Sequence, residues 1–135
     1  MVAKDFKGIL LGFDFGLKKL GVAIGNTYSY QAKPLKTIFV SNKTDRIKAV
    51  KKEILEWDPN YIVVGVPFLP DGAKHPFAEK CEKFAIHLEK IFKINVILED
   101  ERWSSALAKG DGPDDARAAA IILQGVLNNA SINSN

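Results

Sequence analysis

Apolar residues in the N-terminal part of the chain come in two short runs, Ile9 to Phe15 and Leu20 to Asn26, both too short for helices and rich in β-formers. Gly16-Leu-Lys-Lys lies between them and reads as a hairpin turn, with Gly16 supplying a left-handed φ. A third strand is expected over Leu35 to Val40, so the chain opens as a β-meander. The period then changes. Ile47, Val50, Ile54 and Trp57 recur at helical spacing over residues 45–57, with Asn42 or Thr44 as a cap and Asp58-Pro59 as a stop. Tyr61 to Val66 is a continuous apolar run, the mark of a strand covered on both faces.

Pro67 to His75 holds two prolines and an Asp-Gly pair and is expected as a loop. Pro76 then starts a helix whose stripe is Phe77, Cys81, Phe84, Leu88 and Ile91. Asn95 to Leu98 reads as a second buried strand, ending in Glu99-Asp-Glu-Arg102. A short helix is expected over Ser104 to Lys109, a break at Gly110 to Pro113, and a last helix carrying Ala116, Ala119, Ile122, Val126 and Leu127. The polar residues 128–135 read as a frayed tail. The order βββαβαβα, three antiparallel strands and then two parallel ones, predicts an α/β fold. Its core is a mixed five-stranded sheet with helices on both faces, the ribonuclease H-like arrangement.

The composition fits that picture. A chain of 135 residues, 47% hydrophobic and 26% charged, is expected to form one domain over residues 1–135. No apolar run approaches the ~20 residues that span a bilayer, and the N-terminus mixes charges, so no membrane partner and a cytoplasmic location are expected. Cys81 is the only cysteine, which excludes an internal disulfide or a thiolate zinc cluster and suits a packing role. Charge changes the picture more. Residues 1–52 hold eleven Lys/Arg against three acids and residues 53–135 hold eight against thirteen, suggesting one face for a polyanion and another for cations or solvent.

A carboxylate inside an apolar strand is costly unless paired, hydrogen-bonded or bound to metal. Asp14 is such a group, between Phe13 and Phe15, with Gly12 leaving room beside it. Alternation places Glu99 and Glu101 on one face of the later strand and Asp100 on the other. In the Asp114-Asp115 pair, Asp115 shares a stripe with Ala118, Ala119 and Ile122 and points inward, while Asp114 can pair with Arg117 in water. Either acid would also be stabilised at a helix N-terminus without any chemistry. Acids converging from three elements would hold Mg²⁺ or Mn²⁺, which prefer oxygen ligands and keep several waters. Two such ions about 3.5–4 Å apart support phosphodiester hydrolysis.

Four segments, Phe13 to Gly25, Val64 to Gly72, Asp100 to Ser105 and Asp115 to Leu123, together resemble the YqgF (RuvX) family in order along nearly the whole chain. The resemblance implies a ribonuclease H-like nuclease, related to the RuvC Holliday-junction resolvases and associated with 5′-end maturation of pre-16S rRNA. It implies Asp14, Glu101 and Asp115 as the acidic metal-binding set. Leu17 and Leu69 stand where the family usually has Thr and Asn. The stretch Ala106 to Asp114 is shorter than usual, with Lys109 its sole base, so phosphate contact is expected from Lys18, Lys19, Lys33, Lys36 and Arg102.

Structured RNA is the expected partner, with branched DNA as the alternative, and the chain is expected as a monomer or weak homodimer, because no dimer face is visible in the sequence. A nucleic-acid-binding module that has lost catalysis is the alternative. An actin-like ATP-binding fold needs two domains. A protein kinase needs a Lys where Gly25 follows Val-Ala-Ile, residues 22–24. His75 is expected to cap the helix after it, and His87 lies off that helix's apolar stripe.

Overall fold

The computed structural model describes residues 7–102 and 115–133. Five strands, β1 (Ile9–Phe15), β2 (Lys19–Asn26), β3 (Ala32–Phe39), β4 (Tyr61–Phe68) and β5 (Asn95–Arg102), form one sheet in the order β3-β2-β1-β4-β5. Strands β1, β2 and β3 pair antiparallel, while β4 runs parallel to both β1 and β5. The α/β mixed sheet expected from the sequence is the one observed.

Helices α1 (Lys43–Trp57) and α2 (Ala78–Phe92) share one sheet face, and α3 (Asp115–Asn133) covers the other. Strand alternation divides the core between them. Leu11 and Phe13 join Val50, Phe84 and Leu88 on the α1/α2 side, whereas Leu10 joins Leu123 and Leu127 on the α3 side. The central strands β1 and β4 are therefore apolar in both directions, which is why they read as unbroken runs.

Local chemistry explains most element boundaries. Asn42 caps α1, its side-chain oxygen accepting from the Asp45 amide at 2.8 Å, and Asp58 ends the helix in the left-handed region at φ 46°. His75 is expected to cap α2; its Nδ1 instead accepts from the Phe77 amide at 3.0 Å within the preceding turn, and α2 itself has no side-chain cap among the described residues. That helix starts at Ala78, because Pro76 and Phe77 still belong to the turn, and its inward stripe ends on Phe92 while Ile91 is exposed.

Three further expectations are corrected. Gly16 does not adopt a left-handed φ; its hydrogen is required because a Cβ there would stand 2.8 Å from the Lys19 carbonyl oxygen. Strand β5 continues through Arg102, held by pairing with β4 as far as Phe68, so Glu99 to Glu101 lie within the strand. The polar tail from Asn128 is helical through Asn133, with Ala130 buried. The expected helix over 104–109 and the break at 110–113 lie outside the described residues.

Candidate active site

Ligands of open α/β sheets gather beyond the carboxyl ends of the strands, and the acids collect at that edge. Asp14 is the penultimate residue of β1 and Glu101 of β5, while Asp115 opens α3 on the same sheet face. Asp14 stands directly opposite Gly21 in the β1–β2 ladder. A Cβ on Gly21 would collide with the Asp115 carbonyl oxygen, so the start of α3 rests on the β2 backbone beside Asp14. Thr37 on β3 fixes the same helix end, its hydroxyl accepting from the Ala116 amide at 3.1 Å.

The room expected beside Asp14 at Gly12 is filled by α3. A Cβ on Gly12 would lie 3.0 Å from Leu123 Cβ and 3.2 Å from the Ala119 carbonyl oxygen. That glycine sets the helix-to-sheet distance instead. Further along α3, Gln124 accepts from the Ala32 amide and donates to the Tyr30 carbonyl, both at 2.8 Å, tying the helix to the β2–β3 turn.

Electrostatics shows what the convergence does. Burial first, and then the Glu101 and Asp115 carboxylates, raise the Asp14 carboxyl from its ordinary value of 3.8 to about 7. Glu99 is raised too, by burial and then by Asp100. A buried acid raised further by two neighbouring acids makes a field that favours a cation. The Lys19 ammonium supplies part of one, 4.0 Å from the Asp115 carboxylate.

Among the described residues no three His, Cys, Asp or Glu side chains are placed to hold one metal ion together. A divalent ion at this edge would have to be bound through one or two of these carboxylates with water completing its shell, not in an all-protein cage.

The expected phosphate-binding residues divide. Lys18 and Lys19 are exposed at the β1–β2 turn, and Lys33 is exposed on the edge strand β3. Lys36 is committed elsewhere, its ammonium 3.1 Å from the carboxylate of buried Glu53. Arg102 ends β5 opposite Phe68. Sequence reasoning missed Gly21 and Thr37, which place Asp115, and Arg46, whose guanidinium donates to the Leu17 carbonyl at 2.8 Å. A Gly in the ladder opposite an in-strand acid was the one available signal for the first.

The sheet order, the helix placement and the acid-lined strand edge define a ribonuclease H-like protein. Comparison with solved structures agrees. Thermus thermophilus RuvC in complex with a Holliday junction superposes with a TM-score of 0.56 at 17% identity, covering 93% of this chain and 96% of that one. Archaeoglobus fulgidus Pelota gives 0.51 at 10% identity over 96% of this chain and 36% of its own. Within that class, the profile of the RuvX family, described as Holliday junction resolvase, matches residues 8–129, and the chain belongs to that family. A relative from Bordetella avium, named "Putative pre-16S rRNA nuclease", is 44% identical over 119 residues, covering 85% of this chain and 91% of its own. One of the same name from Paraburkholderia phytofirmans is 42% identical over 130 residues, covering 90% and 89%.

Proposed function

We propose that the chain is a divalent-metal-dependent endonuclease that cleaves structured RNA in maturing the 5′ end of pre-16S rRNA. The observation that carries this reading is the Asp14 carboxyl held at about 7 by burial and by Glu101 and Asp115 at the carboxyl edge of the sheet. The names of the relatives supply the substrate.

One or two of the Asp14, Glu101 and Asp115 carboxylates would hold a hydrated Mg²⁺ or Mn²⁺. A bound ion supplies an activated water and charge stabilisation of the leaving oxygen in phosphodiester hydrolysis. The chain's own residues do the rest. Gly21 and Thr37 set where Asp115 begins, so the acid keeps its place beside Asp14 as substrate arrives. Lys18 and Lys19 sit at the adjoining turn, where exposed ammonium groups meet phosphate oxygens without reading bases. The Lys19 ammonium, 4.0 Å from the Asp115 carboxylate, would meet a phosphate oxygen beside that acid.

A four-way DNA junction is the second reading, favoured by the description of the family profile. Cleavage assays on a pre-16S rRNA 5′ segment and on a junction, with magnesium, manganese or chelator, decide between them. Metal-dependent RNA cleavage that Asp14→Asn abolishes supports the proposal. Junction-selective cleavage transfers it to the second reading, and absence of cleavage with intact binding leaves a binding module.

A further inference from the structure

On the sheet face opposite Asp14, α1 and α2 do not close against each other. A hollow of about 190 Å³ opens between them, floored by Phe15 and Phe84 and walled by Lys43, Arg46, Lys80 and Lys83. Two more hollows of about 280 Å³ each share His87 with it, one reaching Lys90 on α2 and the other Lys48 on α1. Among the described residues lining the three, six are Lys or Arg and none is Asp or Glu. Of these cations Lys83 is paired with Glu79 at 3.3 Å, in an exposed helical pair worth little. Cations so concentrated on one groove are complementary to a polyanion.

Arg46 is the second, independent observation. It is only 7% exposed, its guanidinium lies 4.9 Å from the Phe15 ring, and its Nε has no hydrogen-bond partner. Among the described residues no carboxylate lies within ion-pair distance of it. A cation withdrawn from water without an acid is costly, and an anion in the hollow it lines would offset that cost. The aromatic floor narrows the choice of anion. Phe15 is already stacked on Phe77 and Phe84, with centroids 5.4 and 4.6 Å away, and Arg46 covers it as well, so no ring face is left for a base. Phosphate recognition by the surrounding cations is then the main contact.

We propose that the α1–α2 groove is a track for the sugar–phosphate backbone of the RNA substrate, carrying the strand away from the acid edge on the opposite face of the sheet. This rests on the nuclease reading and adds to it where the substrate lies. The two regions are continuous through the β1–β2 turn, which bears Lys18 and Lys19 and whose Leu17 carbonyl is gripped by Arg46. A strand leaving Asp14 crosses that turn to enter the groove beside Phe15. Binding there is independent of sequence and sensitive to salt.

The test is fluorescence anisotropy with a short labelled single-stranded RNA, titrated at several salt concentrations. The variant Lys43→Glu/Lys80→Glu/Lys90→Glu changes exposed side chains only, and thermal melting by circular dichroism checks its fold. It is expected to lose at least about tenfold in affinity at low salt, with a log–log salt slope shallower by about 2, near 0.7 per phosphate contact. The Lys→Gln version of the three gives a smaller loss of the same sign. Lys51→Glu/Lys52→Glu, on α1 outside the groove, stays near parental affinity.

Parental affinity and slope in the triple variant, with binding lost in Lys18→Glu/Lys19→Glu, would overturn the groove and leave the nuclease reading intact. Loss confined to a four-way DNA junction would overturn RNA as the occupant. A parent protein that neither binds nor cleaves RNA would overturn both.

Discussion

Asp14 and Phe15 are neighbours on one strand and look out on opposite chemistries. Asp14 faces α3, where the helix start lies against the β2 backbone at Gly21 and acid raises the pKa of acid. Phe15 faces α1 and α2, which stand apart around hollows lined with lysines. Tight packing on one face holds carboxylates together against their repulsion, and loose packing on the other leaves cations open to a large anion. The strand's twofold alternation is what separates the two.

The largest effect is expected from removing the acid that anchors the tight face. Asp14→Asn should lower cleavage by on the order of 10³-fold, about 4 kcal/mol of barrier, while leaving RNA affinity near parental. A variant retaining cleavage would move the chemistry away from this edge.

The same carboxyl makes the stability of the metal-free protein depend on pH. An acid raised from 3.8 to about 7 is protonated in the folded state while already ionised in the unfolded chain, so folding takes up a proton between those values. Stability should therefore fall as pH rises from about 4 to 7, by on the order of 3 kcal/mol, and change little through this group below or above. Melting temperatures across that range should show the slope in the parent and lose it in Asp14→Asn, which becomes the more stable protein at pH 8. Added magnesium should flatten the parent curve. A parent already flat without metal would mean that Asp14 is not held in this field.

Packing at Gly21 comes next. Gly21→Ala places a methyl group against the Asp115 carbonyl oxygen and should cost about 2–3 kcal/mol in denaturant unfolding, together with loss of cleavage. Gly12→Ala also crowds α3, but at Leu123 and Ala119, away from the acids. It should destabilise by about 1–2 kcal/mol and retain more activity. Equal losses of activity in the two variants would show that general loosening of α3, not the placement of Asp115, is responsible.

These two glycines show what the sequence could and could not say. The sheet was legible because β4 and the meander strands carry period-two or unbroken apolar patterns, and α1 and α2 carry stripes with caps. The acids were legible because Asp14 sits between two phenylalanines, where a carboxylate is out of place. What makes them a site was not, since Gly21 and Thr37 act through backbone approach and one hydroxyl across elements far apart in the chain. Nor did the charge split between residues 1–52 and 53–135 map onto faces. The groove draws Lys43 and Arg46 from the first part and Lys80, Lys83 and Lys90 from the second, because α1 and α2 lie side by side.

The smallest effect compares one capping device on both faces. Asn42 accepts from the Asp45 amide to start α1, and Thr37 accepts from the Ala116 amide at the start of α3, so each is worth about 1 kcal/mol of stability. Asn42→Ala and Thr37→Val should thus lower the unfolding free energy alike. Their consequences for cleavage should differ. The Asn42 cap lies on the α1 side and supports no acid of the site, so its loss should leave the turnover rate unchanged. The Thr37 cap lies one residue from Asp115, and losing it frees the first turn of α3 to shift under repulsion from Asp14. Turnover should then fall by about tenfold at matched stability, and high magnesium should recover part of it by neutralising the repulsion. Equal turnover in the two variants would mean that Gly21 alone fixes Asp115 and that the Thr37 hydroxyl serves only the helix.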